Sequence, residues 1–227
     1  MYKKRLDGTK IITVSQGVKN FLKQCNVKAD MIKIIYNPFD IKRIKELSKE
    51  SNTQILNEPY IIHAGIFCQQ KRHDRLLKAF KKLKTKCKLV LLTHHNDELE
   101  KLIKEHGLEN KVIIAGFQKN PYPWFKCAKL SVLCSDFEAL PMVIVESLIC
   151  GCPVVSTDCR SGPNEILVGD LAKWLVPMNN DENKLTDNLA AKIDEALNTK
   201  IKIDPSIYER FDADKIADEY LSLIDND

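Results

Sequence analysis

The stretch Ser135-Asp136-Phe137-Glu138-Ala139-Leu140-Pro141-Met142-Val143-Ile144-Val145-Glu146-Ser147-Leu148-Ile149-Cys150-Gly151-Cys152-Pro153-Val154-Val155 decides how the rest of the chain is read. It reads as a strand end, a polar loop, a helix, a turn at Gly151-Cys152-Pro153 and a further strand. Pro141 suits the first helical position, where its missing N–H would have no partner anyway, and Gly151 suits the position just past the helix end. A helix that begins at a strand's carboxyl end presents free N–H groups and the positive end of its dipole, which together make an anion site. Glu146 is the lone charge between residues 139 and 157, set among Val143, Ile144, Val145, Leu148 and Ile149. A carboxylate in such company needs hydrogen-bond donors. At about 1.5 Å rise per residue, Glu146 lies roughly 7 Å along the helix from Pro141, the span from a phosphate to the ribose it esterifies. A carboxylate accepts from both ribose hydroxyls at once. Taken singly, Glu138 also fits a solvated loop and Glu146 a solvated helix edge.

Outward from this segment, short apolar runs alternate with helix-patterned stretches. Strands are expected at 11–14, 32–35, 60–63, 89–92, 112–114, 130–133, 154–156 and 174–176. Helices are expected at 15–25, 72–83, 98–105, 121–127, 142–150, 182–197 and 213–223. Apolar strands joined by crossover helices predict an α/β fold with a doubly wound, Rossmann-like parallel sheet. Ligands then sit beyond the carboxyl ends of the strands. The polar stretches 49–58 and 179–182 are too short to divide independent domains, so residues 1–227 are expected to form one domain with terminal helices from about 182.

Composition narrows the classes. The 227 residues are 44% hydrophobic and 29% charged, with 8 Gly and 9 Pro, which excludes collagen-like and disordered chains. Thirty-five Lys+Arg against 31 Asp+Glu leave +4, too little to argue a nucleic-acid partner. The chain carries neither an apolar run long enough to cross a membrane nor a leader-like start. Its eight cysteines include no C-x-x-C pair and read as reduced core thiols, which suits the cytoplasm, and no metal site is expected. The amphipathic segment 18–25 reads as a core-packing helix. The basic run from Lys81 to Lys88 reads as a solvated face, with contact to anionic lipid head groups as the sharper alternative. Neither a G-x-S-x-G turn nor a Walker loop is present, so hydrolase and nucleoside-triphosphatase readings lack support.

Two carboxylates spaced Glu-x7-Glu around a helix start, then Gly-x-Pro-Val-Val, resemble the donor-sugar motif of the retaining glycosyltransferases with the two-domain GT-B fold, of the family 4 or group 1 type. Thr13-Val14-Ser15-Gln16-Gly17-Val18 is similar to that family's entry to its carboxyl-terminal domain. Asn37-Pro38-Phe39-Asp40, Ala64-Gly65 through Gln70-Lys71-Arg72-His73-Asp74, Gly116-Phe117 and Ser161-Gly162-Pro163-Asn164-Glu165 follow in the family's order. The likeness covers residues 9–225. It implies the donor-binding half of a GT-B enzyme that moves a hexosyl group from a nucleotide-sugar, a UDP-sugar by family frequency, to a glycan or lipid-linked acceptor. By the same resemblance Glu138 contacts the donor sugar and Glu146 the ribose, and Lys71 neutralises the diphosphate beside Gly65. The N–H groups of Ala139, Leu140 and Met142 cradle the distal phosphate, Gly116 and Phe117 border the base, and no metal or other cofactor is required.

Three departures weigh against a plain carry-over. Ile66 stands where the family usually has an Arg, which removes a cation from the leaving diphosphate. Thr93-His94-His95-Asn96 replaces a Gly-rich turn, and Ala139 replaces a frequent Gly. The family's amino-terminal, acceptor-binding domain is expected to be absent from this chain. A fragment, a truncated gene product and one subunit of a split enzyme all fit, and the chain alone is then expected to be inactive. The competing readings are a catalytically silent nucleotide-sugar-binding or interaction module and, more distantly, a nucleotide-sugar epimerase. Contact with the cytoplasmic face of a membrane would follow from a lipid-linked acceptor.

Overall fold

The computed structural model describes residues 3–224. Its strands are β1 (Lys10–Thr13), β2 (Met31–Ile34), β3 (Tyr60–Ala64), β4 (Lys88–Leu92), β5 (Val112–Ile114), β6 (Leu130–Leu133), β7 (Val154–Asp158) and β8 (Leu175–Pro177). Interleaved with them are α1 (Lys3–Leu6), α2 (Gln16–Gln24), α3 (Ile41–Leu47), α4 (His73–Lys81), α5 (Asp97–Glu105), α6 (Tyr122–Cys127), α7 (Met142–Ile149) and α8 (Pro163–Ile166). The chain ends in α9 (Glu182–Leu197), α10 (Ser206–Glu209) and α11 (Ala213–Ile224).

Strands β3 to β8 form one parallel sheet in the order β5-β4-β3-β6-β7-β8. The chain winds outward from β3 to β5, then returns to the middle at β6 and winds the other way, so the strand order reverses between β3 and β6. In sheets of this kind the crevice outside the carboxyl ends of those two strands is where ligands bind. Continuous apolar runs demand cover on both faces, and the alternation along each strand supplies it. Ile61, Leu89 and Leu91 share a core with Leu76, Leu77, Leu189 and Ile193. Tyr60, Ile62 and Val90 point to the other face, with Trp124 and Phe125, where the Tyr60 hydroxyl donates to the Trp124 carbonyl at 2.7 Å.

Strands β1 and β2, read in sequence as part of the same alternation, pair with each other in a separate two-stranded parallel sheet. Their side chains are mostly half-exposed, so they lack the two-sided apolar character a central position requires. Helix α2 joins them, capped by Ser15, whose Oγ accepts from Val18 N at 3.1 Å. Glu165 ties this unit to the main sheet, accepting from the amides of Gln16 at 2.7 Å and Gly17 at 3.0 Å and from the Tyr36 hydroxyl at 3.2 Å. A Cβ at Gly17 would fall 2.2 Å from Ser161 Oγ, so only glycine permits that approach.

Four expectations need correction. Helix α2 buries none of its residues and leaves Phe21 45% exposed, because the two-stranded sheet beneath it covers little. Cys25 and Cys127 are exposed, so only Cys134, Cys152 and Cys159 are fully buried thiols. Trp174 closes a 3-10 turn rather than opening β8. The expected helices omit α3, which Asp40 caps by accepting from Arg43 N at 2.8 Å. Among the described residues no helix is long and apolar enough to cross a membrane. Glu165→Ala should cost about 1–2 kcal/mol in urea unfolding and speed hydrogen exchange at the Gln16 and Gly17 amides. Unchanged exchange there would show that Glu165 does not hold these amides.

Candidate functional site

The crevice between the ends of β3 and β6 holds an ion pair. Lys71 leaves a 3-10 turn after β3 and its Nζ donates to Glu138 Oε1 at 2.6 Å. The same oxygen accepts from Ser135 Oγ at 2.6 Å. Glu138 Oε2 has no partner among the described residues, so one carboxylate oxygen is left for a ligand. A Cβ at Gly65 would stand 3.6 Å from Lys71 Cδ and Cε, so the bare glycine keeps open the space beside that side chain. Ile66, next in the chain, is 66% exposed.

The loop from β6 to α7 is held from several directions. Arg75, 1% exposed, donates to the Cys134 carbonyl at 2.7 Å, to Asp136 Oδ1 at 2.8 Å and to both Glu182 oxygens at 2.7 and 2.9 Å. Arg72, left-handed at φ 52°, holds both Asp74 oxygens at 2.9 Å and also reaches Asp136 and Glu182. Bonding to Arg75 keeps the Glu182 carboxyl below its ordinary range. Burial would raise Asp74, but its bonds to Arg72 prevail and lower it. Glu138 N donates to Arg160 O at 3.0 Å, and a Cβ at Gly162, φ +95°, would meet Pro141 Cδ at 2.3 Å.

Helix α7 begins at Met142 with Pro141 before it. The amides of Ala139, Leu140 and Met142 donate to no acceptor among the described residues, which leaves donors free at the positive end of the α7 dipole. Glu146 stands apart from Lys71 and Glu138. It is half-buried, which raises its pKa, and the Tyr122 hydroxyl lies 3.5 Å from its Oε1. Burial and the nearby Glu146 push the Tyr122 hydroxyl up to about 12. Gly116 adopts φ +76°, and Phe117, 68% exposed, stacks on His94 with centroids 5.5 Å apart and planes 8° apart.

The structure therefore brings Gly65, Lys71 and Glu138 together with the amides of Ala139, Leu140 and Met142. It leaves Glu146 with Tyr122, and Gly116-Phe117 with His94, as separate groups. Sequence reasoning missed Ser135, Asp136, Arg75 and Glu182, and it gave His94 no part in the site. The basic run around Lys81–Lys88 starts β4, at the sheet's opposite end from this crevice, with Lys82 paired to Asp187 and Lys88 to Glu58.

Beneath the pair lie two buried histidines. His63 Nδ1 is 2.8 Å from the Val132 carbonyl while its Nε2 has no partner, and neither nitrogen of His73 has one. Their rings meet edge to face at 4.7 Å. Burial lowers His63 from 6.5 to about 4 and His73 from 6.5 to about 3. Below pH 6.5 the unfolded chain binds protons that the folded chain refuses, so this stability is complete above that pH and is lost on acidification. Each histidine should contribute a slope of up to about 1.4 kcal/mol per pH unit from about 6.5 down toward its folded value. Urea midpoints measured across that window check it, and His73→Phe, which cannot titrate, should flatten the profile. A flat wild-type profile would show that both rings are protonated in the fold.

The match to known proteins agrees with this geometry. The profile of Glycosyl transferases group 1 matches residues 44–212. The chain is 32% identical over 222 residues to the N-acetylgalactosamine-N,N'-diacetylbacillosaminyl-diphospho-undecaprenol 4-alpha-N-acetylgalactosaminyltransferase of Campylobacter jejuni, covering 94% of this chain and 59% of that protein. It is 28% identical over 171 residues to the lipopolysaccharide 1,6-galactosyltransferase of Escherichia coli, covering 70% of this chain and 45% of that one. In fold it matches the lipopolysaccharide outer core galactosyltransferase WaaB (TM-score 0.74, 22% identity, 96% of this chain and 62% of that one). It matches Anabaena HepE in complex with UDP and glucose equally well (TM-score 0.74, 22% identity, 96% and 63%). The chain thus spans about 59% or less of the length of these two curated relatives. The match over residues 44–212 and the 32% identity over 222 residues show that the chain belongs to the group 1 glycosyltransferases of GT-B fold.

Proposed function

We propose that the crevice between β3 and β6 binds a nucleotide-sugar, a UDP-sugar first, as donor for hexosyl transfer with retained configuration to a glycan or lipid-linked acceptor. The observation that carries this reading is the Lys71–Glu138 pair, 2.6 Å apart at the switch point beside the unpaired amides that open α7. On donor binding Lys71 turns to the diphosphate and Glu138 to the sugar hydroxyls. The amides of Ala139, Leu140 and Met142 take the distal phosphate, Glu146 the ribose, and Phe117 with His94 the base. Charge that develops on the leaving diphosphate meets donors already in place, which is where such groups accelerate a reaction most. In this scheme Lys71 and the helix start carry the charge that a metal ion would otherwise neutralise. The leaving phosphate assists the incoming acceptor hydroxyl on the same face, so no enzyme nucleophile is needed.

The bound UDP in HepE supports the choice of nucleotide. The undecaprenol-linked substrate named for the Campylobacter relative supports an acceptor at a membrane face. We assign most acceptor recognition to the portion of such proteins outside this match, supplied in the same chain or by a partner, and expect residues 1–227 alone to be inactive. Ile66, in place of the family's Arg, favours a second reading as a silent nucleotide-sugar-binding module.

Titration calorimetry distinguishes these readings. The chain should bind UDP, and Glu146→Ala and Lys71→Ala should each weaken it about tenfold. Glu138→Gln should leave UDP nearly unchanged and weaken the UDP-sugar. Absence of binding by the folded chain overturns the donor assignment. Tight binding without turnover in the presence of amino-terminal halves from relatives would favour the silent module.

A further inference from the structure

A second, open cleft of about 680 Å³ flanks Glu138. It shares Glu138 and Ala139 with the donor crevice and adds Phe21, Phe137, Arg160 and Ser161, whereas Lys71, Phe117 and Glu146 do not line it. Two of its walls are aromatic and wet, Phe21 at 45% and Phe137 at 54% exposure. The Arg160 guanidinium lies 4.4 Å from the centre of the Phe21 ring, and its one polar partner among the described residues is Gln24 Oε1 at 3.4 Å.

Charge decides what this cleft fits. Its two carboxylates are already neutralised from within, Asp136 by Arg72 and Arg75 and Glu138 by Lys71. Among the described residues no carboxylate forms an ion pair with Arg160, so the uncompensated charge of the cleft is positive. The backbone of Arg160 is also fixed in place. Phe137 and Arg160 pair in a parallel bridge, and Glu138 N donates to Arg160 O at 3.0 Å. Neighbouring backbones in such a bridge run about 5 Å apart, so an anion on Arg160 and a sugar at Glu138 are within reach of one bound molecule.

We propose that this cleft is an acceptor subsite selecting an acceptor sugar that carries a phosphate. Phe21 and Phe137 pack against the sugar's apolar face, and the Arg160 fork takes the phosphate by paired N–H donors. The proposal rests on the donor reading above, since the reacting sugar is the one at Glu138. A lipid diphosphate sugar and a free sugar phosphate share this chemistry.

The test uses the whole chain, labelled for amide NMR and saturated with UDP so that the donor crevice is filled. N-acetylglucosamine 1-phosphate should shift the amides of Phe21, Phe137 and Arg160. Methyl N-acetylglucosaminide and inorganic phosphate should each bind about fivefold more weakly or worse. Arg160→Gln, at an exposed position, should weaken the sugar phosphate about fivefold and leave UDP affinity within about twofold. Phe21→Ser should abolish the preference for the sugar phosphate over inorganic phosphate. Farnesyl-diphosphate-linked N-acetylglucosamine binding more tightly than the 1-phosphate supports the subsite with a lipid source, and the reverse order supports it with a soluble one. Equal binding by Arg160→Gln, equal binding of inorganic phosphate, or shifts confined to other residues would overturn it. Should UDP fail to bind while the sugar phosphate still shifts Arg160, the donor reading falls and the phosphate-sugar cleft stands.

Discussion

A guanidinium withdrawn from water has to find acceptors and opposite charge, and Arg75, 1% exposed, finds them in three different elements. It reaches the end of β6 through Cys134 O, the loop before α7 through Asp136, and the first residue of α9 through Glu182. One side chain from α4 thereby fixes three neighbours relative to each other. Drying such a group costs nearly as much as its partners return, so the net gain in stability is small. Taking away one partner is another matter, because it leaves a buried guanidinium short of an acceptor, a penalty of about 1–3 kcal/mol. What the cluster chiefly supplies is position.

That position matters because the loop of residues 136–141 carries the crevice. It is held at Asp136 by two arginines, at Phe137 and Glu138 by backbone pairing to Arg160, and at Leu140-Pro141 by the close approach of Gly162. Among the groups that stay uncommitted in the described residues are one Glu138 oxygen and the amides of Ala139, Leu140 and Met142. Donors fixed in advance need no reorganisation when charge arrives, and a loop clamped this way loses little entropy on binding.

The part of this arrangement that was legible in sequence is the part written in consecutive residues. The α7 helix, the strands of the main sheet and the spacing of Glu138 and Glu146 follow from periodicity and local turn chemistry, although the helix starts at Met142 and leaves Pro141 as the residue before it. What was illegible depends on pairings across long stretches of chain. Arg75 meets Glu182 over 107 residues, and Glu165 meets Gln16 over 149; nothing local in either segment names its partner. The amphipathic pattern of α2 announced an apolar stripe but not whether anything covers it, and here Phe21 stays open. His94 looked like any polar loop residue until the adjacency of β4 and β5 put it against Phe117.

Ile66 gives the Lys71–Glu138 pair a further consequence under the donor reading. Arg72 and Arg75 are committed to Asp74, Asp136 and Glu182, and burial keeps His63 and His73 neutral near pH 7. Lys71 is then the cation of the described crevice that can change partners, and doing so releases Glu138 with only Ser135 to satisfy it. A nucleoside diphosphate answers Lys71 alone and leaves that carboxylate short of donors. An intact nucleotide-sugar answers both, since its diphosphate takes the ammonium while its hydroxyls take the carboxylate. Under the donor reading, re-forming the pair therefore opposes the spent nucleotide more than the loaded one, so the same ion pair biases the crevice toward the intact donor and favours release of the product.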